Sequence, residues 1–136
     1  MMTDLQKSIS IAASGMRVQS ERLKVIAENI ANADSVGING NDPYRRKTIS
    51  FKNVFDASVG ANIVVVDKIG TDSKPFPLKY NPGHPAANSE GYVTTPNVNT
   101  MIEGVDRKEA QRSFEANLAT IDTSRAMISK TLELLK

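Results

Sequence analysis

A chain of 136 residues has room for one domain of ordinary size, and 17 Lys+Arg against 15 Asp+Glu leave a net charge of only +2. The balance holds along its length, with 4 basic and 3 acidic residues over 1–33, 7 and 6 over 34–97, and 6 and 6 over 98–136. No basic arm exists for nucleic acid or an anionic membrane. The absence of cysteine excludes disulfides and thiolate metal sites, while 5% aromatics and no Trp favour helix-rich packing of aliphatic and small side chains.

Helix breakers divide the chain. All six prolines lie between Pro43 and Pro96, and six of the eight glycines lie between Gly37 and Gly91. Residues 1–33 and 98–136 are therefore free to form long helices, and 34–97 are not. In the first segment Thr3 and Gln6 have capping-box spacing. Leu5, Ile9, Ala12, Met16, Gln19, Leu23, Ile26, Ile30 and Ala33 then alternate steps of four and three, a sustained 3.5-residue seam with one polar interruption at Gln19. Ile11, Val18 and Val25 repeat every seven residues on a second face. A helix with two apolar faces must bury against more than one neighbour. Lys7, Arg17 and Glu21 interrupt anything resembling the apolar stretch of a secretory signal, so none is expected.

The middle reads as a small β-rich unit. Residues 47–51 alternate weakly, 62–69 give the strongest strand signal, and Phe76, Leu78 and Tyr80 alternate with polar or proline positions. The turn-rich run 70–74 predicts a hairpin between the last two, with Pro75 and Pro77 marking the second as an edge. Residues 81–97 read as loop. In the final segment Thr100 and Glu103 have capping-box spacing, and Leu118, Ile121, Arg125, Ile128, Leu132 and Leu135 form a second seam. The predicted fold is α+β: long terminal helices packed as a coiled-coil-like pair forming one terminal domain, with the β-rich unit inserted between them. The seam residues Leu5, Ile9, Met16, Leu23, Ile26, Ile30, Leu118, Ile121, Ile128, Leu132 and Leu135 are the expected assembly interface.

Chemistry-bearing patterns are few. His84 lies in a turn between Pro82 and Pro85 without a second His or any Cys, so a structural role is expected of it rather than a base or a metal ligand. Tyr44-Arg45-Arg46-Lys47 could hold an anion, but alternate residues of a strand point to opposite sides, which favours ion pairs over a single basic patch. There is no Gly-x-Ser-x-Gly elbow and no phosphate loop ending in Lys-Ser or Lys-Thr. Neither an enzyme nor a cofactor is expected.

The run Ala27-Glu28-Asn29-Ile30-Ala31-Asn32-Ala33-Asp34-Ser35 resembles the signature that closes the first helix in the flagellar rod and hook axial protein family. Asn29 and Asn32 make physical sense there, since Asn can bond freed backbone groups and tolerates the left-handed conformation at helix ends. Pro43-Tyr44-Arg45-Arg46, His84-Pro85, Gly91-Tyr92 and Pro96-Asn97 follow in the order found in a proximal-rod member, and the short middle fits as well. The resemblance implies a structural subunit of the basal-body rod that transmits torque to hook and filament. It also implies export by the flagellar type III apparatus without a cleaved signal, and assembly in the periplasm. The implied partners are other proximal and distal rod proteins, the rotor-ring adaptor and copies of itself, with no nucleic acid and no small-molecule substrate. Two rivals are a cytosolic coiled-coil adaptor or secretion chaperone, and a small hydrolase or glycan-binding domain using His84 and Arg45–Lys47.

Overall fold

A computed structural model describes residues 1–38 and 40–136. Helix α1 (Asp4–Ala31) is followed by strands β1 (Lys47–Asp56), β2 (Ala61–Thr71), β3 (Leu78–Tyr80) and β4 (Tyr92–Thr94), and the chain ends in helix α2 (Thr100–Leu134). This is the α+β arrangement predicted, with helices of 28 and 35 residues flanking a small antiparallel β region.

The start of α1 is a reciprocal capping box, in which Thr3 N–H donates to Gln6 Oε1 at 2.9 Å and Gln6 N–H to Thr3 Oγ1 at 3.3 Å. The start of α2 is not built as the spacing of Thr100 and Glu103 suggests. Asn99 is the cap, its Oδ1 accepting from Met101 N–H at 3.0 Å and Ile102 N–H at 3.3 Å. Glu103 is thereby released for another task and is 1% exposed.

The strand pairing also departs from the prediction. β2 pairs with β1, and β3 with β4. The β1–β2 turn is closed by Gly60 N–H to Asp56 O at 2.7 Å, with Asp56 Oδ1 accepting from Ser58 N–H at 2.8 Å and Val59 N–H at 3.3 Å. Gly60 has φ 70, the left-handed region that suits glycine. The run after β2 does not turn back onto it: Asp72 N–H donates to Arg46 O at 2.8 Å, and Pro75 and Pro77 bring no donors for a ladder. β3 instead meets β4 in antiparallel register, Leu78 opposite Thr94, Lys79 opposite Val93 and Tyr80 opposite Tyr92. The latter segment, read from sequence as loop, is only three residues long.

The chain divides into two compact units, one made of residues 1–23, 50–68 and 108–136 and the other of 24–49 and 69–107. In the first, α1 and α2 run antiparallel. Ser8 and Ser124 hydroxyls lie 3.5 Å apart, a Cβ on Gly15 would come within 2.7 Å of Asn117 Nδ2, and Arg22 reaches Glu109 at 3.7 Å. Ser8, Gly15 and Arg22 recur every seven residues, as a coiled-coil seam requires, but with small or polar side chains. Ala12, Val18, Ala110 and Ile121 are buried here, and Ser14 Oγ accepts the N–H of Val64 in β2 at 3.2 Å. In the second unit Val25, Ile26 and Val93 are buried, beside buried Asn29 and Glu103.

Candidate functional site

The second unit contains a polar cluster that brings Asn29, Tyr44, Arg46 and Asn97 together with Lys47, Asp72 and Glu103. Asn29, on the last turns of α1 and 1% exposed, presents its carboxamide to β1 as a neighbouring strand would. Its Oδ1 accepts from Lys47 N–H at 2.9 Å and its Nδ2 donates to Lys47 O at 3.0 Å. The second lone pair of Oδ1 takes the Tyr44 hydroxyl at 2.8 Å, and the second Nδ2 hydrogen goes to Glu103 Oε2 at 3.3 Å. All four hydrogen-bonding positions of the amide are filled. Asn32 closes the helix more locally, donating to Glu28 O at 2.8 Å.

Arg46 completes the cluster. Its Nε donates to Glu103 Oε1, its other nitrogens lie 3.5 Å from Asp72 and 3.9 Å from Asp106, and its N–H donates to Asn97 Oδ1 at 2.8 Å. Burial works against the Arg46 charge, but the hydrogen bond and charge of Glu103, helped by Asp72 and Asp106, hold the guanidinium above its ordinary value. Arg45 turns away, stacking over Phe76 at 4.1 Å and donating to the carbonyls of Asp72 at 2.9 Å and Lys74 at 3.1 Å. Asn97 Nδ2 donates to the same two carbonyls at 3.1 Å each. Lys47 pairs with Glu28 at 2.6 Å, which lowers the carboxyl and raises the ammonium from their ordinary values. Burial raises the Tyr44 phenol. Backbone donation from Lys74 lowers Asp72, with the Lys74 and Arg46 charges adding to it. The basic run is thus dispersed onto separate internal partners and forms no common anion site.

The remaining motif residues shape loops. Pro43 and Pro96 are buried, and Gly91 has φ 85 with Tyr80 and Pro82 so close that a Cβ would come within 2.9 Å of the Tyr80 ring. Tyr92 meets Tyr80 edge-on at 5.3 Å. His84 Nδ1 accepts Ala86 N–H at 3.0 Å, a turn role, while Pro85 is exposed. The cleft beside His84, about 450 Å³, carries one carboxylate, that of Asp34.

The expected interface residues separate by exposure. Leu5, Ile9, Met16, Leu23, Ile30 and Ile128 are half-buried, and Ile26 at 4% and Ile121 at 8% belong to the chain's own interior. Leu118, Leu132 and Leu135 stand out at 42%, 58% and 79%. Exposed Met127 and Leu134 join them, and Met101, Ile102 and Val105 are exposed at the start of α2. Those five were absent from the interface read from sequence, because α2 is amphipathic only along a narrow stripe of Ala110, Ile121 and Ser124.

Long helices joined through a buried polar cluster, with apolar side chains left outside, define a structural, assembling class of protein. Comparison with known families agrees. Residues 9–37 match the flagella basal body rod protein family and residues 89–134 match the C-terminal family of the flagellar basal body rod FlgEFG proteins. The flagellar basal-body rod protein FlgC of Agrobacterium fabrum is 47% identical, covering 99% of this chain and 98% of the relative. Those of Escherichia coli and Bacillus subtilis are 41% and 36% identical, covering 91% and 95% of this chain and 92% and 97% of their own lengths. The chain belongs to the FlgC family of flagellar basal-body rod proteins. It is a structural rod subunit of the basal body rather than an enzyme, and it assembles with copies of itself and other rod components. The reading as a cytosolic adaptor or chaperone finds no support among these relatives.

Proposed function

We propose that the chain builds the proximal part of the rod by docking the outer faces of its terminal helices against neighbouring subunits, forming a tube that carries motor torque to hook and filament. The observation that carries this reading is the set of apolar side chains that α2 and the residue after it leave outside: Leu118, Met127, Leu132, Leu134 and Leu135, each at least 42% exposed. Taking one such side chain fully out of water contributes up to about 1.5–3 kcal/mol, and less for those already half covered, so the set together favours association. The proposed neighbours are other proximal and distal rod proteins, the rotor-ring adaptor and further copies. Export through the flagellar type III apparatus without a cleaved signal, and assembly in the periplasm, complete the proposal. Among the described residues no helix is long and apolar enough to cross a membrane.

The test is Leu132→Asp with Leu135→Asp in a strain whose own rod subunit is deleted. Both side chains are solvated in the single chain, so the variant keeps its circular dichroism and is secreted. Rods stop short of the hook, and swimming is lost. Normal hooks on the double variant would remove the case for this face.

A further inference from the structure

The Asn29–Glu103–Arg46 cluster holds a carboxylate deep in the second unit. Glu103 is 1% exposed, with one carboxylate oxygen on Arg46 and the other on Asn29 at 3.3 Å. Ion pairs this deep contribute little more than well-packed apolar residues of the same size, and their best-attested use is to fix register between elements. The local sequence fits that use. Around Glu103, the apolar side chains of α2 face away: Met101, Ile102 and Val105 are 81%, 56% and 65% exposed, so they cannot fix its axial position. Sliding α2 by one turn would replace Glu103 with Arg107 or Asn99. Arg107 would meet Arg46 as a like charge, and either slip would leave an Asn29 donor and the Arg46 guanidinium without the carboxylate.

We propose that Glu103, seated between Asn29 and Arg46, is a register lock: it sets which turn of α2 lies against the last turns of α1, and its role is positional rather than stabilising. Asn29 reads the lock twice, because the same amide that holds Glu103 also holds the Lys47 backbone, so α1, the start of β1 and α2 share one reference point. The lock belongs to the single chain and does not depend on which surface assembles.

The chain has no cysteine, so spin labels can be placed cleanly at Ala27→Cys and Val105→Cys, both exposed positions within the second unit. Pulsed dipolar spectroscopy on the purified full chain should give one narrow distance for the native sequence and for Glu103→Gln, which keeps an oxygen and a donor in place. Arg46→Met with Glu103→Leu should keep the helical signal but split the distribution into two populations about one turn, ~5 Å, apart along the helix. Exchanging the charges by Glu103→Arg with Arg107→Glu moves the lock four residues along α2, and should shift the whole distribution to the slipped distance. A single native distance in the apolar variant, or an unshifted one in the exchange variant, would overturn the proposal. Loss of folding in both would do so too, because it would make the cluster a stabilising element instead.

Discussion

At the start of α2 three side chains within five residues compete for one task, and only geometry decides among them. Asn99, Thr100 and Glu103 all suit a helix N-terminus by type and spacing, yet Asn99 holds the free N–H groups while Glu103 points to Asn29 and Arg46. The side chain one residue earlier wins because an unmade bond to a buried carboxylate costs more than an alternative cap at a solvated terminus. Asn99→Ala should therefore cost about 1 kcal/mol in a urea titration, and Thr100→Ala should stay within ~0.5 kcal/mol. An equal loss from both would restore Thr100 as the cap. The same competition shows why the Asn29 motif was legible and its chemistry was not. The run Asn29-Ile30-Ala31-Asn32 can be read on the chain, but the side chain of Asn32 donates to the Glu28 carbonyl, which already accepts the Asn32 N–H, rather than to a freed group. The partners of Asn29 lie at Tyr44, Lys47 and Glu103, up to 74 residues away, and no local pattern announces them.

Among elements, the helices were readable because their periodicity extends over tens of residues, whereas the pairing of strands was not. The β1–β2 turn over 57–60 competes with the equally turn-like run 70–74, and the choice falls to the strand that has N–H groups to offer. Segment β4 escapes notice since three residues are too few for an alternation. Apolar periodicity also leaves open which face turns inward. Val18 and Val25, on the second α1 face, are 4% and 5% exposed, but Leu5, Ile9 and Leu23 on the main seam are only half-buried. This gives two classes of seam substitution. Ile26→Asp places a carboxylate at a 4% exposed site and should cost ~3 kcal/mol or more, seen as loss of cooperative unfolding. Leu132→Asp alone should leave the unfolding midpoint unchanged. Equal midpoints for the two variants would mean that Ile26 is not an interior residue of the chain.

For the molecule taken whole, charge couples folding to pH in one direction over most of the useful range. Asp72 is lowered by the Lys74 backbone donor, Glu28 by its bond to Lys47, and Asp56 by the Ser58 hydroxyl and N–H. A carboxyl lowered in the native state contributes stability that is present above its unfolded value, about 3.9–4.3, and is lost as pH falls through the native one. Lys47 is raised, so its contribution is present below about 10.4 and disappears only as pH rises through its raised value. Unfolding midpoints should thus be level from about pH 6 to 9 and fall steadily below about pH 4. A midpoint that rises on acidification would show that these carboxyls are not lowered in the native protein. The amide of Asn29 has a last consequence at this scale. A two-stranded hairpin has unpaired backbone on its outer sides, a template on which identical chains can stack into fibrils. By occupying both backbone groups of Lys47, Asn29 caps the β1 margin where the strand begins. At that end of the strand, an extended segment of another chain finds no free backbone group on Lys47 to pair with.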